Sequence, residues 1–393
     1  MENALIVGGS SGLGLSIVIS LLKKDYQKIY IVDKNNVNFE DVPASLKSEL
    51  EKKTIFIKTN LANEDYSVFD EIKDINTLFI TAGFGRATLF ENLSEIEISN
   101  LIKVNEISAI QVIKKYYDKI CSNEDFYCMV TGSIAGHIVS PFFSVYGASK
   151  AGLCSFIESV NIELSKQGVK NRILDVSPGS IAGTNFNGTG NSIEKVNELA
   201  EEIISKTLNR ETLYIPHYDD IYKGVMERYK NNPEKFGLES YEYKENSGRI
   251  KNKSNIVIGY LSGTFDLFHI GHLNLLRRAK EQCDYLIVGV HESGAWKGKE
   301  TFIPFEERKE IVGSIKYVNK VVKSCTEDVD AYHLYKYDKL FVGSDYKGTE
   351  RFIRYEEYFS DKGVEIVYFP YTQGTSSTQL RDALYYKKSN RYY

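Results

Sequence analysis

Ala4-Leu5-Ile6-Val7-Gly8-Gly9-Ser10-Ser11-Gly12-Leu13-Gly14 opens the chain with an apolar run, a glycine-rich turn and the start of a helix-like stretch. A strand that ends in glycines and feeds a helix lets backbone N–H groups approach a pyrophosphate, with the partial positive charge of the helix start behind them. Gly8, Gly12 and Gly14 suit that task, and Ser10, Ser11 and Leu13 fill the turn between them. Asp33 closes the next apolar run, 33 − 14 = 19 residues past the last glycine. At that spacing a carboxylate binds the ribose hydroxyls of a dinucleotide. A plain turn and a solvated strand-end aspartate are the competing readings.

Outward from this turn, apolar runs at 4–8, 28–32, 54–58, 77–81, 126–131 and 172–177 alternate with helix-like stretches. Repeated strand–helix order implies a parallel sheet covered on both faces. A second series follows at 255–262, 284–290, 319–322, 338–342 and 364–369, and residues 238–254 between the two are polar. The expected fold class is therefore α/β, with two doubly wound parallel-sheet (Rossmann-like) domains in tandem. They span 1–237 and 255–393, with a linker at 238–254.

The 393 residues are 42% hydrophobic and 26% charged, enough to bury two cores. A net charge of −4 speaks against general nucleic-acid binding. No basic leader and no apolar run of spanning length is seen, so a cytoplasmic chain without membrane partners is expected. The five cysteines form no Cys-x-x-Cys pair and read as buried thiols of a reducing compartment.

Tyr146-Gly147-Ala148-Ser149-Lys150 sets a tyrosine and a lysine on one helical face. Among 28 tyrosines the spacing alone decides nothing, since Tyr30/Lys34, Tyr332/Lys336, Tyr335/Lys339 and Tyr358/Lys362 repeat it. Only Tyr146 has a serine 146 − 133 = 13 residues upstream, Ser133, at the end of a strand-like run. The corresponding positions before the others are Ile17, Asn319, Val322 and Asp345. Hydride delivery to a carbonyl needs such a proton donor at the oxygen.

These residues resemble the short-chain dehydrogenase/reductase family over roughly 1–230. Asn105, in Lys-Val-Asn-Glu, is similar to the family's helix asparagine, and Pro178-Gly179-Ser180-Ile181-Ala182-Gly183-Thr184 to its Pro-Gly motif. The resemblance implies that Tyr146 donates the proton and that Lys150 lowers its pKa and binds the nicotinamide ribose. Ser133 would bond the carbonyl oxygen, and Asn105 would position a relay water. It also implies a cofactor lining of Gly8, Ser10, Ser11, Gly12, Leu13, Gly14, Asp33, Asn60, Leu61, Ala82, Gly83, Pro178, Gly179, Ile181 and Thr184. Two departures concern the adenine side: Thr81-Ala82-Gly83 stands where the family has Asn-Ala-Gly, and Asn60 where it has an acid. NADH and NADPH stay open, because Asp33 repels a 2′-phosphate while Lys34 and a biosynthetic direction favour one.

Downstream, Gly263-Thr264-Phe265-Asp266-Leu267-Phe268-His269-Ile270-Gly271-His272 again joins a strand-like run to a helix-like one. Two imidazoles at i, i+3 on a helix start can stabilise charge growing on an attacked α-phosphate. A metal site would need a third ligand, which the sequence does not offer, so no protein-held metal is expected.

This block resembles the cytidylyltransferases that activate glycerol phosphate, phosphocholine and phosphoethanolamine, over about 255–386. Lys297 resembles the family's phosphate-bracketing lysine, Arg308 its arginine in the next helix, and Gly343-Ser344-Asp345-Tyr346-Lys347-Gly348 its Gly-Asp-Asp-Trp-Lys-Gly loop. Thr372-Gln373-Gly374-Thr375-Ser376-Ser377-Thr378 resembles its Thr-Glu-Gly-Ile-Ser-Thr-Thr signature. The implied nucleotide site is Gly263, Thr264, Phe265, His269, His272, Lys297, Arg308, Gly343, Asp345, Gln373, Thr375, Ser376, Ser377 and Thr378, with His269, His272 and Lys297 catalytic and Mg2+ accompanying CTP. Tyr371 replaces an arginine of the family, and Ser376 to Arg381 also resembles adenylyl-transferring relatives, so ATP stays open behind CTP. Class I aminoacyl-tRNA synthetases share His-x-Gly-His, but their Lys-Met-Ser-Lys-Ser loop and basic surface are not visible.

Together the two halves suggest a CDP-alditol route on a small sugar phosphate. Either a ketose phosphate is cytidylylated and then reduced, or it is reduced first and then activated. Fructose 6-phosphate is the first expectation, then ribulose 5-phosphate, then dihydroxyacetone phosphate, with products serving capsule-like polymers. A homo-oligomer, dimer or tetramer, is expected from both families. The reading from another class is a cytidylyltransferase whose N-terminal half is a non-catalytic scaffold, against which Ser133, Tyr146 and Lys150 argue.

Overall fold

The computed structural model describes residues 2–37, 39–184, 186, 190–248, 250, 256–294, 300–370 and 379–381. The chain divides into two compact units, Met1–Ser254 and Asn255–Tyr393.

The first unit holds a parallel sheet of β1 (Glu2–Val7), β2 (Tyr26–Asp33), β3 (Thr54–Lys58), β4 (Thr77–Ile80), β5 (Tyr127–Thr131), β6 (Ile173–Val176) and β7 (Leu213–Tyr214), in the order β3-β2-β1-β4-β5-β6-β7. Side chains alternate across a strand, so each strand feeds two cores. Leu5, Val7 and Leu78 pack on one face under helices Ser108–Lys115 and Ser144–Lys166. Ala4, Ile6 and Phe79 pack on the other under helices Gly12–Leu22 and Ile193–Leu208. Strand β7 was not expected: it is a two-residue edge strand, too short for any periodicity to show.

The second unit holds β8 (Ile258–Gly263), β9 (Tyr285–Val290), β10 (Lys320–Lys323), β11 (Lys339–Gly343) and β12 (Glu365–Phe369), parallel and ordered β10-β9-β8-β11-β12. Leu261, Val288 and Phe341 pack with Leu276 of helix Ile270–Lys280 on one face. The opposite face is aromatic, with Tyr260 stacked on Tyr337 at 5.1 Å beside Phe352, Tyr355 and Phe359.

In each sheet the strand order reverses beside the first strand, between β1 and β4 and between β8 and β11. The crevice outside the carboxyl ends of strands at such a reversal is where open α/β sheets bind ligands. Gly8 and Thr81-Ala82-Gly83 follow β1 and β4, while Thr264 to His272 and Ser344-Asp345 follow β8 and β11.

The expected linker differs from the structure. Residues 238–246 continue helix Pro233–Asn246, which starts on Pro233 with Asn232 Oδ1 accepting from Lys235 N at 2.9 Å. This helix grips a loop of the first unit: the Tyr241 ring lies 4.5 Å from Phe142, and Lys244 Nζ donates to Ser140 Oγ at 2.8 Å and Pro141 O at 3.1 Å. A helix that packs on a loop needs few apolar residues, and Phe236 alone in it is buried. Its polar composition therefore read as a linker. Among the described residues, no helix is long and apolar enough to cross a membrane.

Candidate functional site

The first crevice is shaped by contacts too close for side chains. Gly8 has φ +91°, and a Cβ there would lie 2.5 Å from Ala82 N; a Cβ on Gly14 would lie 2.1 Å from Gly8 O. Helix Gly12–Leu22 therefore starts directly against the strand end, with Ser11 as its N-cap and Leu13 buried behind it. Thr81 makes the opposite wall, its hydroxyl shared between Val7 O at 3.1 Å and Gly8 O at 3.0 Å. This threonine, absent from the expected site, braces the turn from the neighbouring strand.

Asp33 reaches under the turn, where Oδ2 accepts from Ser10 N at 3.1 Å and Oδ1 from Asn35 N at 3.1 Å. Asn60 caps the short turn Leu61–Asn63 through Oδ1, at 3.0 Å from Ala62 N. Pro178 O accepts from Ile134 N at 3.0 Å, and Thr184 Oγ1 donates to Ile181 O at 3.0 Å. A Cβ on Gly12 would touch Thr184 at 3.5 Å, so that loop lies over the glycine turn. A Cβ on Gly179 would lie 1.6 Å from the Tyr222 hydroxyl, a neighbour the sequence did not suggest.

The predicted reductase residues converge beside this turn. Asn105 sits in a widened helical turn, Lys103–Ile107, of the kind often found at functional sites. Its amide clamps Phe84, accepting from N and donating to O at 2.9 Å each, and reaches Ser149 Oγ at 3.3 Å. A Cβ on Gly83 would lie 3.2 Å from Asn105 Oδ1 and 3.5 Å from Lys150 Nζ, so the three meet. Tyr146 and Lys150 lie one turn apart on helix Ser144–Lys166, and Ser133 follows β5. Ser133 Oγ accepts from Ala135 N at 3.2 Å and lies near enough to the Tyr146 hydroxyl to lower its pKa. Phe143 at 5.7 Å and Phe186 at 5.2 Å wall in the tyrosine ring.

Burial pushes the Tyr146 hydroxyl up to about 12, against the lowering effect of Ser133. Burial pulls Lys150 down to about 8. The expected lowering of Tyr146 by Lys150 is not what the structure shows. Lys150 Nζ is tied to Thr131 O at 2.7 Å and stands 6.0 Å from the centre of the tyrosine ring.

In the second unit the glycine turn is strained, with Phe265 at φ +53° and Leu267 at φ +48°. Asp266 holds it: its carboxylate accepts from Phe302 N at 3.1 Å and Ile303 N at 3.0 Å and pairs with Arg381 Nη2 at 2.6 Å. Arg381 also donates to Glu300 O at 2.7 Å. Asp266 and Arg381 stand outside the expected site, although an aspartate inside the motif and an arginine at the end of the second signature mark them in the sequence.

His269 and His272 cap the helix reciprocally. His269 Nδ1 accepts from Gly271 N at 3.0 Å, and His272 Nδ1 from His269 N at 3.3 Å. The rings stack at 4.0 Å, and Phe265 and Phe268 each lie 5.4 Å from His272. With both Nδ1 atoms accepting, the neutral rings carry their proton on Nε2. Burial, reinforced by His269, depresses the His272 pKa to about 3, and burial lowers that of His269.

Arg308 differs from expectation. It is fully buried, donating from Nε to Ile303 O at 2.9 Å, from Nη1 to Thr264 O at 2.5 Å and His291 O at 2.7 Å, and from Nη2 to Glu292 O at 2.8 Å. A guanidinium committed to four carbonyls is a brace of the turn rather than a phosphate contact. Asp345 folds back over Gly343, where a Cβ would lie 2.4 Å from its Oδ1. Lys297, Tyr371, Gln373, Thr375, Ser376, Ser377 and Thr378 lie outside the described residues.

Residues 2–195 match the family model described as short chain dehydrogenase, and residues 260–383 the one described as cytidylyltransferase-like. The glycerol-3-phosphate cytidylyltransferase of Bacillus spizizenii is 39% identical over 123 residues, 30% of this chain and 90% of that protein. That of Staphylococcus aureus is 36% identical over 129 residues, 32% of this chain and 92% of the relative. For the first unit, carbonyl reductase family member 4 of Xenopus laevis is 29% identical over 180 residues, 45% of this chain and 74% of that protein. A solved short-chain dehydrogenase from Sphingobium yanoikuyae in complex with NADPH is 21% identical at a TM-score of 0.48, covering 59% of this chain and 96% of the other. Through its second unit the chain belongs to the cytidylyltransferase-like family, and its first unit is a short chain dehydrogenase domain, so two enzyme families meet in one polypeptide.

Proposed function

We propose that the chain is a bifunctional enzyme that makes a CDP-alditol, reducing the carbonyl of a keto phosphate with NAD(P)H and activating the phosphate with CTP. The observation that carries this reading is the convergence of Ser133, Tyr146, Lys150 and Asn105 in one strand-end crevice and of two neutral imidazoles in the other.

The first crevice fits a dinucleotide, since Gly8 and Gly14 leave bare backbone where a pyrophosphate would approach. A reduced nicotinamide supplies the hydride when bound. Tyr146, protonated at neutral pH, gives its proton to the developing alkoxide, and Ser133 hydrogen-bonds the same oxygen. Lys150, titrating near pH 8, exchanges protons at working pH and replenishes the tyrosine. Asp33, anchored by Ser10 N and Asn35 N, places a negative charge near the position of a 2′-phosphate and favours NADH. Asp33→Ala should narrow or reverse the ratio of kcat/KM for NADH over NADPH; an unchanged ratio would remove Asp33 from cofactor choice.

In the second crevice an oxygen of the acceptor phosphate attacks the α-phosphorus of CTP, and the bond to the β-phosphate breaks to release pyrophosphate. The Nε2–H groups of His269 and His272 donate to the oxygens on which charge grows. Asp266 is committed to Phe302, Ile303 and Arg381, so Mg2+ is expected to arrive with the triphosphate. The likeness to glycerol-3-phosphate cytidylyltransferases favours a small polyol phosphate. It moves dihydroxyacetone phosphate, leading to CDP-glycerol, ahead of ribulose 5-phosphate and fructose 6-phosphate. Such a product suits a donor for a cell-surface polymer, made where CTP and NAD(P)H are found, in the cytoplasm.

The test separates the two steps. Tyr146→Phe should cut ketone-dependent NAD(P)H oxidation by about 10²-fold or more while leaving CTP-dependent pyrophosphate release. His272→Ala should do the reverse, with a loss of roughly 10²–10³. If no keto phosphate, free or CDP-linked, oxidises the cofactor in the wild type, the first unit is a scaffold and the reading fails.

A further inference from the structure

His137, Cys154, Asp175 and Ser177 meet behind the Gly132-Ser133 turn, and none of them has a part in the chemistry above. They come from separate segments: the loop after the turn Ile134–Gly136, helix Ser144–Lys166, strand β6 and the residue that follows it. Ser177 Oγ lies 2.8 Å from Asp175 Oδ1, 2.9 Å from His137 Nε2 and 3.6 Å from Cys154 Sγ. His137 Nε2 lies 3.9 Å from Asp175 Oδ2, and the donor atoms of His137, Cys154 and Asp175 are all within 4.8 Å of one another. A tetrahedral ion held at about 2.0–2.3 Å by nitrogen, oxygen and sulfur has edges of roughly 3.3–3.8 Å between its ligands. The four short separations bracket those edges, so small side-chain adjustments would close the site.

The donor chemistry points the same way. Imidazole, thiolate and carboxylate together select a borderline-soft divalent ion rather than Mg2+ or Ca2+. Asp175 and Cys154 are buried, 4% and 8% exposed, and a carboxylate with a thiolate balances a doubly charged cation. Burial, with the neighbouring Asp175 carboxylate, pushes the Cys154 thiol up to about 12, whereas a coordinating thiol loses its proton outright. His137 is only partly buried and gives an ion a route in.

We propose that His137 Nε2, Cys154 Sγ and Asp175, with Ser177 Oγ at the fourth corner, bind a divalent ion of the zinc class that braces the turn carrying Ser133. Ligand spacing hid the site from the sequence, because its members are spread over three elements and form no short motif. The site packs tightly under Gly132, where a Cβ would lie 2.2 Å from Asp175 Oδ1 and 2.5 Å from Ser177 Oγ.

The test uses the full chain, reduced, stripped with a chelator and titrated anaerobically with Co2+. The expected result is saturation near one equivalent, with a thiolate-to-cobalt charge-transfer band in the near ultraviolet and tetrahedral bands in the visible, all displaced by Zn2+. Cys154→Ser should abolish the charge-transfer band, and Cys283→Ser should keep it. His137→Gln, at a partly exposed position that tolerates change, should weaken Co2+ binding at least about tenfold, which keeps the test decisive if Cys154→Ser fails to fold. A wild type without the band, a band that survives in Cys154→Ser, or Co2+ affinity unchanged in His137→Gln overturns the proposal and leaves the cluster a hydrogen-bonded brace.

Discussion

Burying the ammonium of Lys150 moves its pKa from the ordinary 10.5 to about 8, which means that the folded state holds that charge at a cost. Between pH 8 and 10.5 the unfolded chain still binds the proton that the native chain has released, so stability rises with pH across that window. Lys150→Met should therefore raise the unfolding free energy below pH 8 by an amount on the order of 1–2 kcal/mol once the lost bond to Thr131 O is set against the gain, while reduction collapses. Calorimetry at pH 7 and pH 10 checks this, and a variant less stable at both would reject it. His272 gives the complementary case. With its pKa depressed to about 3 it stays neutral throughout the physiological range, so cytidylyl transfer should show no acidic limb from His272 between pH 5 and 8. A pH–rate profile falling by a single ionisation near 6.5 would contradict the neutral-donor role. The placement of Tyr146, Lys150, Ser133 and the histidine pair was legible in the sequence because it follows from spacing along one helix or at one strand end. Arg308 and Asp266 were not, since what separates a brace from a ligand contact is which carbonyls and N–H groups surround a side chain after folding.

At the scale of elements, the glycine turn is the least forgiving junction. A Cβ on Gly14 would meet Gly8 O at 2.1 Å and Thr81 Oγ1 at 2.5 Å, both on neighbouring segments rather than on a flexible chain end. Gly14→Ala must push the helix off the strand, so we expect a loss of about 1–3 kcal/mol and, in fluorescence titration, much weaker binding of NADH. Arg308→Met should act similarly on the second unit, because it takes the buried guanidinium away from the carbonyls of Thr264, His291, Glu292 and Ile303. Removing such a partner costs about 1–3 kcal/mol per orphaned group; chemical denaturation followed at the second unit measures it. Most strands were readable because a buried parallel strand is a short unbroken apolar run. Strand β7 and helix Pro233–Asn246 were not, for opposite reasons: one is too short to have a period, and the other rests on a loop and needs almost no apolar face.

At the scale of the molecule, the hydrophobic clusters among the described residues fall on either side of residue 254, two in each unit. A fragment ending at 254 should therefore retain ketone reduction, whereas one ending at 237 loses Tyr241 and Lys244, which hold Phe142, Ser140 and Pro141 ahead of the Tyr146 helix. Equal reductase activity in the two fragments would show that the helix is dispensable. The separation of cores has a further result for the cell. One message builds both sites, so they are made in strict one-to-one number, yet a substitution that weakens one sheet draws on that unit's own stability. Under the function proposed, heat or mutational drift would then silence one activity and spare the other, and a half-finished product would accumulate only when the later step is the one lost.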